Sequence, residues 1–124
     1  MNETRHNLEA VCASYGSAIE GRKAEARDAK RLETLIRNAL GVLREDGVFA
    51  FYLFLHYRQG EGGGVIWDEI RRLWQDAALG PLLAAPGGKP QVIQLTDDLP
   101  ALLLAREVAE RTLIYALYGL RAKE

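Results

Sequence analysis

The sequence predicts a single all-α domain, a compact bundle of about five to six helices over residues 1–124. Three observations support this fold class. Apolar residues recur every three or four positions in several segments, glycines and prolines separate those segments, and no two strand-like segments form a convincing pair. A chain of 124 residues, 48% hydrophobic and 27% charged, can bury a core without disulfides or metals.

The first two helices have the clearest spacing. Apolar residues from Leu8 to Ile19 predict a first helix that Gly21 ends. The second helix has one apolar stripe, and Gly47 supplies its C-terminal stop. The stripe consists of Leu32, Leu35, Ile36, Ala39, Leu40 and Leu43.

The segment after Gly47, "VFAFYLFLHYR", predicts a third helix from about Val48 to Arg58. Its aromatic residues also suit a buried strand. Only residues 91–95, "QVIQL", look like a second extended piece, and two short strands make a marginal sheet. Helix is therefore favoured.

Glycine and proline separate the remaining helices. "GEGGG", residues 60–64, predicts a flexible break before a fourth helix whose apolar side runs from Ile66 to Ala77. Residues 80–90 hold three prolines and predict an irregular connection. Thr96 offers an N-cap for a last, central helix over residues 99–120, with Asp97 and Asp98 favourable near its positive end.

Composition limits the possible locations and partners. Lys+Arg 16 against Asp+Glu 17 gives a net charge of -1, so attraction to nucleic acid requires a local patch. Cys12 is the only cysteine, the N-terminus lacks the apolar core of a signal peptide, and residues 48–57 are too few to span a bilayer. We expect a cytoplasmic chain that does not enter membranes.

A basic stripe is the predicted nucleic-acid site. It consists of Lys23, Arg27, Lys30, Arg37 and Arg44, which lie opposite the apolar stripe of the second helix. If that helix begins by Lys23, four of these bases at intervals of seven form a row about 30 Å long. Residues 22–44 hold seven bases and three acids, a local charge of +4.

Two interpretations of the stripe stay open. A line of cations suits a phosphate backbone, because each neutralised phosphate releases counterions without selecting a sequence. A solvated face with internal ion pairs, such as Glu33 with Arg37, explains the same residues. The crowded aromatic residues of the third helix, in particular Phe51, Tyr52 and Tyr57, are predicted to be buried against a partner.

Signals for catalysis and cofactors are weak. His6 and His56 have no carboxylate or cysteine cluster at ligand spacing, so no metal and no cofactor is predicted. The pairs Asp68–Glu69 and Asp97–Asp98 suit the first turns of helices. We predict a noncatalytic protein without a small-molecule substrate, although distant carboxylates could still assemble a hydrolase site.

The junction "LETLIRNALGVLREDGVFAFYLFLHYRQ" resembles the small all-helical subunit of type III-B (Cmr) CRISPR effector complexes. The early "ASYGSAI" and the closing "LAREVAERTLIYALYGL" are similar to that family as well. The resemblance implies a structural subunit that stacks in several copies beside crRNA and target RNA in antiviral defence. Its partners would be the other Cmr subunits, and cleavage would belong to another subunit. A helical protein-interaction module without nucleic-acid contact is the alternative.

Overall fold

The computed structural model describes residues 2–26 and 28–122, with side chains from Leu8 onward. This part of the chain forms six α-helices and no strand, which confirms the predicted all-α class. The helices are α1 (Asn2–Gly21), α2 (Ala29–Asp46), α3 (Val48–Tyr57), α4 (Gly63–Trp74), α5 (Lys89–Thr96) and α6 (Leu99–Ala122). None of them is long and apolar enough to cross a membrane.

Helix α6 lies at the centre of the bundle, as predicted, and packs along α1 and α2. Small residues on the buried side of α6, such as Ala109 and Ala116, allow neighbouring helices to pack close to its backbone. Gly16 of α1 is one such contact, because a Cβ there would lie 2.9 Å from the Cβ of Tyr115. The indole of Trp74 joins α4 to the same helix by donating to the Ala105 carbonyl oxygen at 2.9 Å.

Helix α2 begins at Ala29, so the prediction of one continuous helix from Lys23 is wrong. Asp28 has extended backbone angles, φ -156° and ψ 168°, and its carboxylate accepts a hydrogen bond from the Arg31 amide at 2.8 Å. Such a cap satisfies one of the free amides of a new helix and separates it from the preceding 3-10 turn, Lys23–Ala26. The apolar stripe from Leu32 to Leu43 is buried as predicted.

Gly47 divides α2 from α3 as predicted. It has a φ of 94°, a conformation that residues with a Cβ rarely adopt. Its amide donates to the Val42 carbonyl oxygen at 3.2 Å, and its own carbonyl oxygen accepts from Phe51 in the first turn of α3 at 3.0 Å. One glycine therefore ends the first helix and begins the next, and the aromatic segment is helical.

The glycine-rich segment separates α3 from α4 as predicted, and part of it is closely packed. Gly62 and Gly63 are buried, and Gly62 has a φ of 111°. A Cβ on Gly63 would collide with the carbonyl oxygen of Leu55. Because these glycines have no side chain, the backbone at the start of α4 can pack directly against the backbone at the end of α3.

Two expectations for residues 91–98 are also wrong. Residues 91–95 lie in α5, where the buried Val92 and Leu95 are one helical turn apart. Thr96 ends α5 and bonds to the Ile93 carbonyl oxygen, whereas Asp98 accepts from the Ala101 amide at 3.3 Å and caps α6. Packing of α5 on α3 and α6 outweighs the strand preference of this short apolar segment.

Candidate nucleic-acid interface

The structure keeps three of the five predicted stripe residues together. Lys30, Arg37 and Arg44 lie at intervals of seven on the exposed side of α2, a row of about 21 Å at 1.5 Å rise per residue. Lys23 lies on the separate turn before α2, outside this row. Arg27 lies outside the described residues. The five-member row predicted from the sequence is therefore replaced by a shorter one.

Helix α6 adds two arginines that spacing along the chain could not predict. The resulting surface, which we call the basic seam, follows the line where α2 and α6 pack antiparallel. Its five cations and two carboxylates give a local charge of +3. The seam consists of Lys30, Arg37 and Arg44 of α2, Arg106 and Arg121 of α6, and the carboxylates Glu33 and Glu110.

Glu33 joins the two helices at one end of the basic seam. Its side chain is only 10% exposed, and one of its oxygens, Oε1, lies 3.0 Å from both Arg37 Nη2 and Arg121 Nε. The i,i+4 pair with Arg37 was anticipated from spacing, whereas Arg121 is 88 residues away. Lys30, one turn before Glu33, makes no ion pair with any described residue.

The other end of the basic seam is held by Arg44, Glu110 and Arg106. Arg44 Nε lies 3.3 Å from Glu110 Oε2, and Arg106 Nη2 donates to the Arg44 carbonyl oxygen at 2.6 Å. This carbonyl belongs to the last turn of α2, where helices leave acceptors unsatisfied. Arg106 therefore caps α2 from a neighbouring helix while adding positive charge to the surface.

The ion pairs orient the arginines without neutralising the basic seam. A guanidinium has five N–H donors in a fixed plane, and a single salt bridge occupies only part of them. The side chains of Arg37, Arg44 and Arg121 are 54%, 51% and 43% exposed, so their remaining donors can reach an external anion. The arrangement can bind phosphate oxygens along about four turns of helix.

A second ionic cluster, which we call the α1–α4 ion network, is balanced in charge. It consists of Arg22, Arg71 and Arg72 with Glu25, Asp68 and Glu69. Arg22 Nη1 lies 2.7 Å from Asp68 Oδ2 and 2.9 Å from Glu69 Oε2, which is 3% exposed. Asp68 and Glu69 lie in the middle of α4, one turn beyond the first turn in or near which the sequence places them.

The α1–α4 ion network shifts the pKa of Asp68. Burial alone would raise the pKa of Asp68, but hydrogen bonds from Arg22 and Arg71 outweigh burial and lower this pKa. Nearby, the Tyr15 hydroxyl donates to Asp76 Oδ2 at 2.8 Å. Burial, together with this bond and the charge of Asp76, raises the pKa of Tyr15 to about 12.

The predicted partner-facing aromatic residues divide into two kinds. Phe51 is fully buried and Tyr52 is 8% exposed, so the prediction that these two face a partner is wrong. They pack inside the bundle: Phe51 lies 6.3 Å from Trp74 and Tyr52 lies 4.9 Å from Trp67, measured between ring centroids. Tyr57 is 82% exposed and remains available to a partner.

The described residues contain no group of three or more histidine, cysteine or acidic side chains that could hold a metal ion. Cys12 is buried in the core, where its thiol lies 3.6 Å from the Val108 carbonyl oxygen. Burial raises the pKa of this thiol, which favours the unreactive protonated form.

Comparison with known proteins gives no match, whether to family models, to curated proteins or to solved structures.

Proposed function

We propose that this chain is a noncatalytic structural subunit of an RNA-guided antiviral effector complex of the type III-B (Cmr) kind. In this function it lies beside crRNA and target RNA, stacks with further copies and contacts other effector subunits. The basic seam faces the RNA backbone. The proposal rests on the resemblance of residues 32–59 to the small subunit and on the excess of positive charge along α2 and α6.

The observation that carries the RNA contact is the sharing of Glu33 between Arg37 and Arg121. One nearly buried carboxylate holds two exposed guanidinium groups from different helices on one surface. This group therefore sets two cations against one acid, which leaves an excess of positive charge on the surface. The surplus cation and its unused donors are what a chain of phosphates requires.

The test is RNA binding by variants that remove the two guanidinium groups. Labelled single-stranded RNA is titrated with the wild-type chain, R37Q, R121Q and the double variant at several salt concentrations. If both side chains contact phosphates, the slope of log K against log salt becomes shallower by about 1.4 in the double variant, at about 0.7 per contact for a single strand. The same variants are then assayed for RNA retention in the effector complex reconstituted with the other subunits.

Lys89→Gln is the control, because Lys89 is exposed at the start of α5 and makes no ion pair with any described residue. It removes one positive charge away from the basic seam, so the salt slope should stay at the wild-type value. Unchanged slopes and unchanged retention in R37Q/R121Q, with folding verified by circular dichroism, would contradict the RNA contact.

A specific observation favours the alternative, a protein-interaction module without RNA contact. Leu53 and Tyr57, one turn apart on α3, are 44% and 82% exposed. Exposed apolar side chains at this spacing suit a helical partner surface. Tyr57→Glu should impair assembly under either function, so R37Q/R121Q discriminates between them: RNA retention by the complex stays unchanged in R37Q/R121Q if the chain is only an interaction module.

A further inference from the structure

A groove on the other side of α2 carries a second group of cations. It has a volume of about 320 Å³ and lies between the first three turns of α2 and the connection from α3 to α4. Its lining includes Lys30, Arg31 and Asn38 of α2, Arg58 and Glu61 of the connection, and the side chain of Leu35. On the α2 helix, Arg31 and Asn38 point away from the row formed by Lys30, Arg37 and Arg44.

Three cations and two acids line the groove, and two of the cations form no ion pair with a described residue. Asp28, which also lines it, accepts the Arg31 amide as the helix cap. Glu61 accepts from Arg58 Nη1 through two long contacts, at 3.2 and 3.4 Å. Within residues 8–26 and 28–122, neither Lys30 nor Arg31 forms an ion pair. An anion entering the groove would therefore meet charges that the fold has not satisfied.

Arg58 is held in position and still has an unsatisfied donor. Its guanidinium carbon lies 5.7 Å from the ring centroids of both Phe54 and Tyr57, which limits the freedom of the side chain. Its Nε is buried and has no hydrogen-bond acceptor among the described residues. The side chain as a whole is 37% exposed and lines the groove, so an anion in the groove can reach its guanidinium. A buried donor without an acceptor is costly, and an anion would remove that cost.

We infer that this groove binds one phosphate group of a nucleotide, either a free nucleotide or one unit of an RNA strand. The phosphate lies between Arg58 on one wall and Lys30 and Arg31 on the other. The planar fork of Arg58 suits two phosphate oxygens, and the Asn38 amide can donate to and accept from the attached sugar or base. Leu35, at 5% exposed, supplies an apolar floor. If the ligand is RNA, the inference rests on the proposed function and adds a second RNA contact to it. The residues of the groove support phosphate binding independently of the basic seam.

The test uses Arg31 and Arg58, which do not belong to the basic seam. The folded chain is titrated by calorimetry with adenosine monophosphate, with adenosine and with a short single-stranded RNA. We expect saturable binding of the monophosphate or of the RNA and none of adenosine. R31Q/R58Q should weaken that binding about tenfold or more, because it removes two charged donors to one anion. Lys89→Gln removes a charge outside the groove and should leave the affinity unchanged.

R31Q alone guards against a folding defect, because the exposed Arg31 side chain makes no ion pair with a described residue. It should weaken binding severalfold with an unchanged melting temperature. If the monophosphate binds and the variants weaken that binding, a free nucleotide is a ligand. If the variants weaken only the binding of RNA, the ligand is a phosphate within a strand. If neither probe is weakened in either variant, or if adenosine binds as well as its monophosphate, the inference is wrong. Since R37Q/R121Q tests the basic seam separately, either proposal can fail without the other.

Discussion

The basic seam and the α1–α4 ion network use the same kinds of side chain with different charge balance. The network sets three arginines against three carboxylates, and its central Arg22 is 27% exposed. The basic seam sets five cations against two carboxylates, and its arginines Arg37, Arg44 and Arg121 are about half exposed. The network is balanced in charge and connects helices, whereas the seam connects helices and keeps an excess of positive charge. The ratio of cations to acids in a whole cluster, and not the number of acids at each arginine, therefore predicts which cluster binds an external anion.

The largest effect is expected when the balanced cluster is broken. Arg22→Met removes two hydrogen bonds that tie the residue just after α1 to Asp68 and Glu69, and it leaves the nearly buried Glu69 with only Arg72. Loss of one partner of a buried charge is costly, so the free energy of unfolding should fall by about 3 kcal/mol in urea titrations.

Arg111→Met is the matched control for Arg22→Met. Arg111 forms one i,i+4 pair with the exposed Glu107, at 3.5 Å. Exposed pairs of this kind contribute little, so the expected loss is below about 0.5 kcal/mol. Equal losses in the two variants would show that the α1–α4 ion network has no special structural importance.

The sequence predicts a helix well where the residues of that helix alone decide its structure. The buried stripe of α2, the stop at Gly47 and the helical state of α3 all follow from local spacing and backbone preference. Residues 91–95 were predicted wrongly because packing against α3 and α6 decides the state of such a short segment. The start of α2 was missed because Lys23 fits the seven-residue spacing of the basic residues, which suggests a longer helix. The Asp28 cap instead starts a new helix at Ala29.

The site was only partly predictable, because half of it comes from another helix. The Glu33–Arg37 pair is visible in the sequence as an i,i+4 spacing, but nothing local associates Arg121 with Glu33 or Arg106 with the end of α2. The same limit applies to Phe51 and Tyr52. A segment apolar on all sides does not reveal which rings point inward until the position of α4 is known.

A smaller effect is expected from changing the charge balance of the basic seam itself. Glu33→Gln keeps the size of the side chain and raises the local charge by one. The free energy of unfolding should fall by about 1 kcal/mol, because Arg37 and Arg121 lose a charged acceptor. RNA affinity at low salt should rise about threefold, because one more phosphate charge can be balanced.

Glu107→Gln is the control for Glu33→Gln, since it makes the same charge change at a carboxylate paired only with the neighbouring Arg111. Its effect on RNA affinity should be smaller. A fall in RNA affinity for Glu33→Gln would mean that orientation of the two arginines matters more than net charge, and the comparison of the two clusters by charge balance would fail.

The smallest effect concerns Tyr15, beside the α1–α4 ion network. Its pKa rises from 10.0 to about 12 in the folded chain. Below pH 10 the hydroxyl is protonated in both states, so its contribution to stability is complete. Between pH 10 and about pH 12 the unfolded chain ionises first, and this contribution is lost as pH rises.

Tyr15→Phe should therefore be less stable than wild type by about 1 kcal/mol at pH 8, and the difference should narrow by pH 11. Urea unfolding at both pH values measures it, with Tyr118→Phe, an exposed tyrosine, as the control. A difference that stays constant over this range would show that Asp76 does not hold the Tyr15 proton in the folded chain.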